Sequence, residues 1–325
     1  MRRLVSWASA AVILGSLSVP RSLAQDASLI APDPKIFSPG VISGSASDGA
    51  PTFTSDGKTL YFGRSGGTWG FILESHFNGD WSSPEIAPFS GQWSDMQPTL
   101  SADGNSLIFV SRRPGPDSTP GSTERSAGLW RVTREGKGWS GPIHLPNTVN
   151  ISKGVFRPSL AANGDLYFMT KGDGDKSWRL YSSAFKDGLY LQAAPLPFST
   201  GITADVDPEI APDESFLIFS SAGRATSEDT HEHLYITCRS TNGWSPARQI
   251  SFPGDPKRPH VADDSEPRLS PGGHVLYFTS GRTLLINPNR TREEADADFA
   301  KLNSWDNGNN NVWYTEFDAK AVCKR

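Results

Sequence analysis

One phrase is written five times along this chain, and it constrains the fold more than any other feature of the sequence. It reads PTFTSDGKTLYFGR from Pro51, PTLSADGNSLIFVSR from Pro98, PSLAANGDLYFMTK from Pro158, PEIAPDESFLIFSSAGR from Pro208 and PRLSPGGHVLYFTSGR from Pro267. The prolines stand 47, 60, 50 and 59 residues apart. Each copy is a strand, a turn such as Ser55-Asp56-Gly57 or Ala102-Asp103-Gly104, and a second apolar strand, which is a hairpin signature. A third strand follows a variable loop, as GFILES from Gly70, GLWRVT from Gly128, WRLYSS from Trp178, HLYITC from His233 and NVWYTE from Asn311. A fourth is announced by Trp-Ser and a proline, at Trp81-Ser82-Ser83-Pro84, Trp139-Ser140-Gly141-Pro142 and Trp244-Ser245-Pro246; the third copy has Leu189-Tyr190 there instead.

Four short strands per period, five times over, predict an all-β chain: a five-bladed β-propeller of four-stranded blades, starting near residues 48, 95, 155, 205 and 264. A generic sandwich would not keep five copies in register. The 31 Gly and 25 Pro fit this reading, because they mark tight turns between strands rather than helices. The last copy lacks a Trp-Ser-Pro phrase, while residues 35–43 (KIFSPGVIS) form a strand-like segment with no hairpin before it. An open ring would leave an exposed strand edge. Residues 35–43 are therefore expected to supply the missing fourth strand of blade five, so that deleting residues 25–45 lowers the melting temperature sharply.

Arg2 and Arg3 precede an apolar run over residues 4–19, and Ser22 and Ala24 sit three and one residues before a cut ahead of Gln25. That is the layout of a secretory signal peptide over residues 1–24, leaving residues 25–325 as a single propeller in the periplasm or outside the cell. Cleavage removes Arg2, Arg3 and Arg21 and takes the formal net charge from −4 to −7. No basic block exists to grip nucleic acid, and no other apolar stretch approaches spanning length, so neither nucleic acid nor a membrane span is expected. The expectation is a monomer. Two cysteines cannot build a disulfide scaffold or a four-thiolate zinc site. In an oxidising compartment Cys238 and Cys323 can pair, or stand as two separate thiols.

The phrase Asp-x-x-Pro-x-[Leu/Phe]-Ser-x-Asp-Gly-x-x-Leu-Tyr-Phe-x-Ser-x-Arg resembles the TolB-type, WD-like propeller repeat of exported bacterial proteins. Its Gly-Trp-Ser-x-Pro continuation is similar to copies found beside OmpA-type peptidoglycan-binding domains. The resemblance covers residues 36–318 and implies a propeller fold; it is weak for function, because the family spans binding subunits, peptidase propellers and some polysaccharide lyases. TolB carries an α/β domain before its propeller and this sequence leaves no room for one, so a propeller standing alone is expected.

The long, irregular loops follow the second and fourth strands and open on one face, which is the expected binding face. Three residues before the repeat proline stand Asp48, Asp95, Asp205 and Asp264, with Val155 in the third copy. Asp207 and Glu266 add acids just before the proline in copies four and five. After the second strand come Arg64, Arg112 with Arg113, Lys171, Arg224 and Arg282. Arg64, Arg112, Arg224, Arg282, Asp95, Asp205 and Asp264 are thus candidate binding residues; the alternative is that each Asp binds loop amides or pairs with a neighbouring Arg, holding the ring together.

Departures from the repeat cluster in blades four and five. ATSEDTHEHLY carries Glu228, Asp229, His231, Glu232 and His233, and GDPKRPHVADDSEP carries Lys257, Arg258, His260, Asp263, Asp264 and Glu266. Imidazole with carboxylate suits general acid–base work or a divalent metal, so His231, His233, His260 and Asp263 are the candidate catalytic residues. The spacing matches no metal motif, and alternating His231 and His233 on a strand would point to opposite faces; no cofactor is expected, with a divalent ion as the alternative. Residues 283–310 form the longest loop, with a helix-friendly middle over 291–302, and suit a lid or a docking arm. Trp69, Trp93 and Trp305 fall in face loops, where they can stack on sugars or pack between blades. Two functional readings follow: a module that binds an envelope protein or glycan on the loop-rich face, or a carbohydrate-active lyase or hydrolase at the channel mouth between blades four and five.

Overall fold

The structure is a computed structural model, and it describes residues 29–116, 118, 126–224, 229–253, 263–283 and 289–324. The signal sequence read at residues 1–24 lies outside them. Five antiparallel sheets succeed one another along the chain. From the inside outwards, blade one is Ser47–Phe53, Thr59–Gly66, Trp69–Asn78 and Glu85–Ile86. Blade two is Asp95–Leu100, Ser106–Ser111, Gly128–Glu135 and Ile143–His144. Blade three is Val155–Leu160, Leu166–Thr170, Arg179–Ser183 and Ala194–Pro195. Blade four is Ala204–Ile210, Phe216–Ala222, His233–Ser240 and Arg248–Ser251. Blade five takes Asp264–Leu269, Val275–Ser280 and Asn311–Glu316 from the C-terminal part of the chain. The innermost strands pack against one another in cyclic order, blade five's against blade one's, so the five sheets form a closed ring.

The repeated phrase builds each blade through local bonds. In the Ser-x-Asp-Gly turns the Asp56 carboxylate accepts from the Thr54 hydroxyl (2.6 Å) and the Lys58 amide (3.0 Å), and Asp103 does the same with Ser101 and Asn105. Gly57 and Gly104 supply the positive φ, 68° and 72°, that closes these turns. The Ser of each Trp-Ser phrase clamps the third strand: Ser82, Ser140 and Ser245 Oγ accept from the amides of His76, Thr133 and Cys238 at 3.0–3.1 Å. The Trp beside it packs sideways. Trp81, Trp139 and Trp244 join apolar clusters between neighbouring blades, and Trp139 Nε1 donates to the Tyr61 hydroxyl of blade one.

The core is accordingly a set of five apolar clusters, one at each blade–blade interface. Phe109, Leu107 and Tyr61 fill the first interface, Phe168 and Val110 the second, Phe219 and Leu180 the third, Phe278 and Phe216 the fourth, and Phe62 and Val312 the fifth. The -Leu-Tyr-Phe- strand of each phrase feeds both faces of its blade, which is why it is apolar at consecutive positions.

The ring closes as the sequence implies, with a shorter strand than expected. Lys35–Ile36 pairs antiparallel with the third strand of blade five, Lys35 opposite Tyr314 and Ile36 opposite Trp313, and completes that blade. Beyond it, residues 38–43 leave the strand in a turn in which the amides of Val41, Ile42 and Ser43 donate to the Ser38 carbonyl. Just upstream, Leu29–Ile30 adds a parallel fifth strand outside blade four, Leu29 opposite Ile250. Cys238 of blade four and Cys323 of the C-terminal helix Ala319–Cys323 form a disulfide, which settles the pairing the sequence leaves open. Both chain ends therefore tie blades four and five together. No described helix is long and apolar enough to cross a membrane.

Candidate functional site

In every blade the innermost strand shifts register at the repeat proline. The residue before each proline, Ala50, Gln97, Arg157, Asp207 or Glu266, is left-handed, with φ between 51° and 54°. This conformation costs a non-glycine residue about 1–2 kcal/mol, so its fivefold recurrence marks strain held by the ring. The bulge turns these five side chains toward the ring axis. They meet there across blades: Gln97 Nε2 donates to Glu266 Oε1 (2.9 Å), the Arg157 amide to Gln97 Oε1 (3.1 Å), the Glu266 amide to Asp207 Oδ2 (3.1 Å) and the Arg157 guanidinium to the Pro267 carbonyl (2.9 Å). Gly49 has no side chain because a Cβ there would overlap the Glu266 carboxyl and the Thr279 hydroxyl, which hydrogen-bond to each other.

The residue after each proline makes a second layer, Thr52, Thr99, Ser159, Glu209 and Arg268, all buried. Thr52 Oγ1 accepts from the Leu100 amide of blade two, Ser159 Oγ from the Ile210 amide of blade four and Glu209 Oε1 from the Leu269 amide of blade five. Arg268 Nη1 donates to Glu209 Oε2 (2.6 Å) and to Thr99 Oγ1 (3.1 Å), and Nε to the Pro51 carbonyl (3.2 Å). A funnel of about 760 Å³ opens on the loop-rich face.

The funnel floor and walls are chemically divided. Asp207 and Glu266 lie on its floor and Glu232, from the loop entering the third strand of blade four, on its wall. Trp69 of blade one is 43% exposed there, and Trp178 packs edge-on against Phe156, ring centroids 5.6 Å apart. Burial, with the Glu266 carboxylate beside it, pushes the Asp207 carboxyl up to about 7. Burial and the neighbouring Asp207, Asp263 and Glu266 push Glu232 up to about 8. Glu232 has no hydrogen-bond or ion-pair partner for its carboxyl among the described residues.

These shifts carry a sign for stability. Asp207's folded-state value lies above its unfolded one, so its contribution is complete below about pH 4 and is lost as pH rises through about 7. Asp207→Asn is therefore expected to match the parent protein below about pH 4 and to exceed it by roughly 4 kcal/mol at pH 8, read from urea denaturation at both values. A difference independent of pH would contradict the assignment.

The charged rings read from the repeat resolve into pairs within blades one, two, four and five. Arg64 Nε donates to Asp48 Oδ1 (2.6 Å), Arg224 Nη2 to both oxygens of Asp205 (2.7 Å each), and Arg282 grips Asp264. In blade two Arg113, not Arg112, pairs with Asp95 (2.9 Å). Arg224 and Arg282 also lie over aromatic rings, at 5.2 Å from Phe219 and 4.8 Å from Phe252. Their geometry is that of the structural alternative. Arg112 is different: half-buried, with no side-chain partner among the described residues, it lines the funnel.

His231 and His233 do not line the funnel. His233 Nε2 lies 2.8 Å from Asp229 Oδ2, and His231 Nδ1 lies 3.4 Å from Asp263 Oδ1, whose side chain is 58% exposed. His260 is outside the described residues. Among the described residues no set of three His, Cys, Asp or Glu side chains is placed to hold a metal ion. In the longest loop, helix Arg292–Lys301 forms where composition suggests, with Thr291 and Glu294 in a capping box. It contributes no residue to the funnel; Asn307 and Asn309 anchor its return to the Ser45 carbonyl. Of the three loop tryptophans, Trp69 is in the funnel and Trp305 packs against Trp313, ring centroids 6.2 Å apart. The signal for the funnel floor was in the sequence: the column before the repeat proline reads Ala, Gln, Arg, Asp, Glu amid otherwise similar copies.

The chain is thus a five-bladed propeller with a funnel on one face. No family model matches it, and no curated protein matches it. Among solved structures it is similar to an α-L-arabinofuranosidase from Lactobacillus brevis, with 11% identity, a TM-score of 0.50, and 85% of this chain and 91% of that one covered. It is also similar to a putative TolB from Agrobacterium tumefaciens (17%, TM-score 0.46, 72% and 70% covered) and to TolB from Acinetobacter baumannii (13%, TM-score 0.45, 84% and 55% covered). TolB propellers are therefore among its structural neighbours, as the repeated phrase implied. At these identities the likeness concerns the fold.

Proposed function

We propose that this protein is an exported binding module that holds its ligand, a segment of an envelope protein or a glycan, in the funnel of its loop-rich face. One observation carries the reading: the ring pairs its repeated arginines with aspartates, yet the side chains of Arg112 and Glu232, half-buried on the funnel wall, have no partner among the described residues. Half-buried ionisable groups without partners are costly unless a ligand meets them. The signal-like residues 1–24 and the Cys238–Cys323 disulfide support an oxidising compartment, periplasmic or extracellular. The reading invokes no metal and a single protomer.

The test is a thermal-shift and calorimetric panel of short peptides and of neutral and acidic oligosaccharides. A ligand present at a hundred times its dissociation constant stabilises the fold by about 2.7 kcal/mol. The expected result is saturable binding that Trp69→Ala weakens at least about tenfold, with the ligand recovered unchanged. A second reading, a glycan-cleaving hydrolase, is favoured by one observation, the carboxyl of Asp207 held near 7 beside Glu266, which suits general acid work. Turnover of an oligosaccharide that is abolished by both Asp207→Asn and Glu266→Gln would establish that reading and displace the first.

A further inference from the structure

We infer that the funnel takes a zwitterionic ligand, a free amino acid or short peptide, with its ammonium group among Asp207, Glu232 and Glu266 and its carboxylate on Arg112. The inference rests on the reading of the funnel as a ligand site and names the ligand's chemistry.

Arg112 is redundant for the fold. The repeat demands one arginine after the second strand, and blade two has two. Arg113 fills the structural role: it pairs with Asp95, donates to Ser111 Oγ at 2.8 Å and lies 5.1 Å and 5.2 Å from the Phe109 and Trp130 rings. Arg112 is left facing the funnel. It stands beside Trp69, since the amides of Arg112 and Gly70 both bond Ser94, to its carbonyl and its hydroxyl respectively.

The opposite side is acidic. In a five-membered ring, blade two faces the seam between blades four and five, and from that seam come Asp207, Glu232 and Glu266. Asp207 is 5% exposed and has a backbone amide, not a cation, on its carboxylate. Arg268 is committed to Glu209 in the layer beneath; the buried Arg157, whose Nη2 donates to the Pro267 carbonyl, lowers Asp207 only in part, because burial and Glu266 outweigh it. No lysine or arginine forms an ion pair with the three acids among the described residues. Carboxyls crowded enough to hold their protons are drawn back to the charged form by a cation and not by a hydroxyl group.

A neutral sugar would meet neither charged end, and an acidic one would set its carboxylates against the floor, a mismatch that association disfavours. A ligand with both charges satisfies both ends, and Phe156, Trp178 and Trp69 offer apolar walls to the side chains between them. The volume, about 760 Å³, accommodates a short peptide.

The test is calorimetry on the mature protein with trialanine and alanyl-phenylalanyl-alanine, each also as its N-acetyl and C-amide derivative. N-acetylation is expected to weaken binding about thirtyfold or more, and amidation about tenfold. In Arg112→Gln, amidation should no longer matter while acetylation still does; in Glu232→Gln the acetylation effect should shrink. Arg112→Gln should melt as the parent does, because its side chain has no partner among the described residues, and Glu232→Gln should melt at or above the parent, because burial raises the carboxyl it replaces. Derivatives that bind as tightly as the free peptides, or an Arg112→Gln variant that treats acid and amide as the parent does, would overturn the inference. If the peptides fail but an oligosaccharide binds in a Trp69-dependent way, the ligand class is wrong and the funnel reading stands. If no peptide and no oligosaccharide binds, both fall.

Discussion

Replacing Arg268 by alanine is expected to destabilise the ring by about 3–5 kcal/mol, the cost of leaving one partner of a buried ion pair uncompensated. This one side chain and its partner reach every blade. Arg268 belongs to blade five, bonds the Pro51 carbonyl of blade one, Thr99 of blade two and Glu209 of blade four, and Glu209 in turn accepts from Ser159 of blade three at 3.0 Å. Both residues are at most 6% exposed. Burial lowers Arg268 to about 10, which leaves it charged at neutral pH. The measurement is chemical denaturation of Arg268→Ala, Glu209→Ala and a paired Arg268→Met/Glu209→Gln variant. Each single change should cost several kcal/mol and the pair less than their sum, because neither charge is then left alone. Additive losses would show that the two residues act separately.

The second large effect is expected at the seam. Removing residues up to 37 deletes both N-terminal strands, bares the edge of blade five and takes away Phe37. That ring sits among four others, Phe53, Trp81, Tyr277 and Tyr314, with centroids 5.1–6.1 Å away, and so bridges blades five and one. Phe37→Ala alone should cost about 3 kcal/mol, at the low end for a phenylalanine because its site is partly open. The truncation should lower the melting temperature by more than about 10 °C, on the scale of a few degrees per kcal/mol for a chain of this size. The disulfide should soften the loss, so reduction should deepen it in the truncated protein. A truncated ring that melts with the parent would mean that residues 29–37 are an appendage and not the closing strand.

Most of the fold was legible because the repeat prints its own grammar. Turn aspartates, the Trp-Ser clamp and the apolar second strand recur for local reasons, and local reasons can be read from a sequence. The site was less legible. The Asp-x-x-Pro aspartates and the following arginines can be read from the sequence as a binding ring or as structural pairs, and Asp48, Asp95, Asp205 and Asp264 are all found paired. That Arg113, not Arg112, takes the structural place depends on which side chain follows the strand's last turn, which spacing does not reveal. His231 and His233 attracted notice as unusual residues, yet a strand and a neighbouring aspartate hold each of them away from the funnel. The floor was hidden for a different reason. Its side chains face the axis only because of a bulge at each proline, and a bulge reverses the inside–outside alternation that a strand otherwise obeys. Residues 35–43 were correctly read as closing the ring, but only Lys35–Ile36 pairs; Pro39 cannot donate to the ladder, and Ser38 turns the chain away with φ 44°.

The claim that binding occurs in the funnel is tested most directly by amide NMR of the isotope-labelled mature protein, titrated with the free tripeptides and with the oligosaccharide panel. Shifts should concentrate in Gly70, Ser94, Gln97, Asp207, Glu232 and Glu266, on one face and around one axis. Shifts confined to the opposite-face turns at Asp56, Asp103 and Asp213, with those funnel amides unmoved, would contradict it.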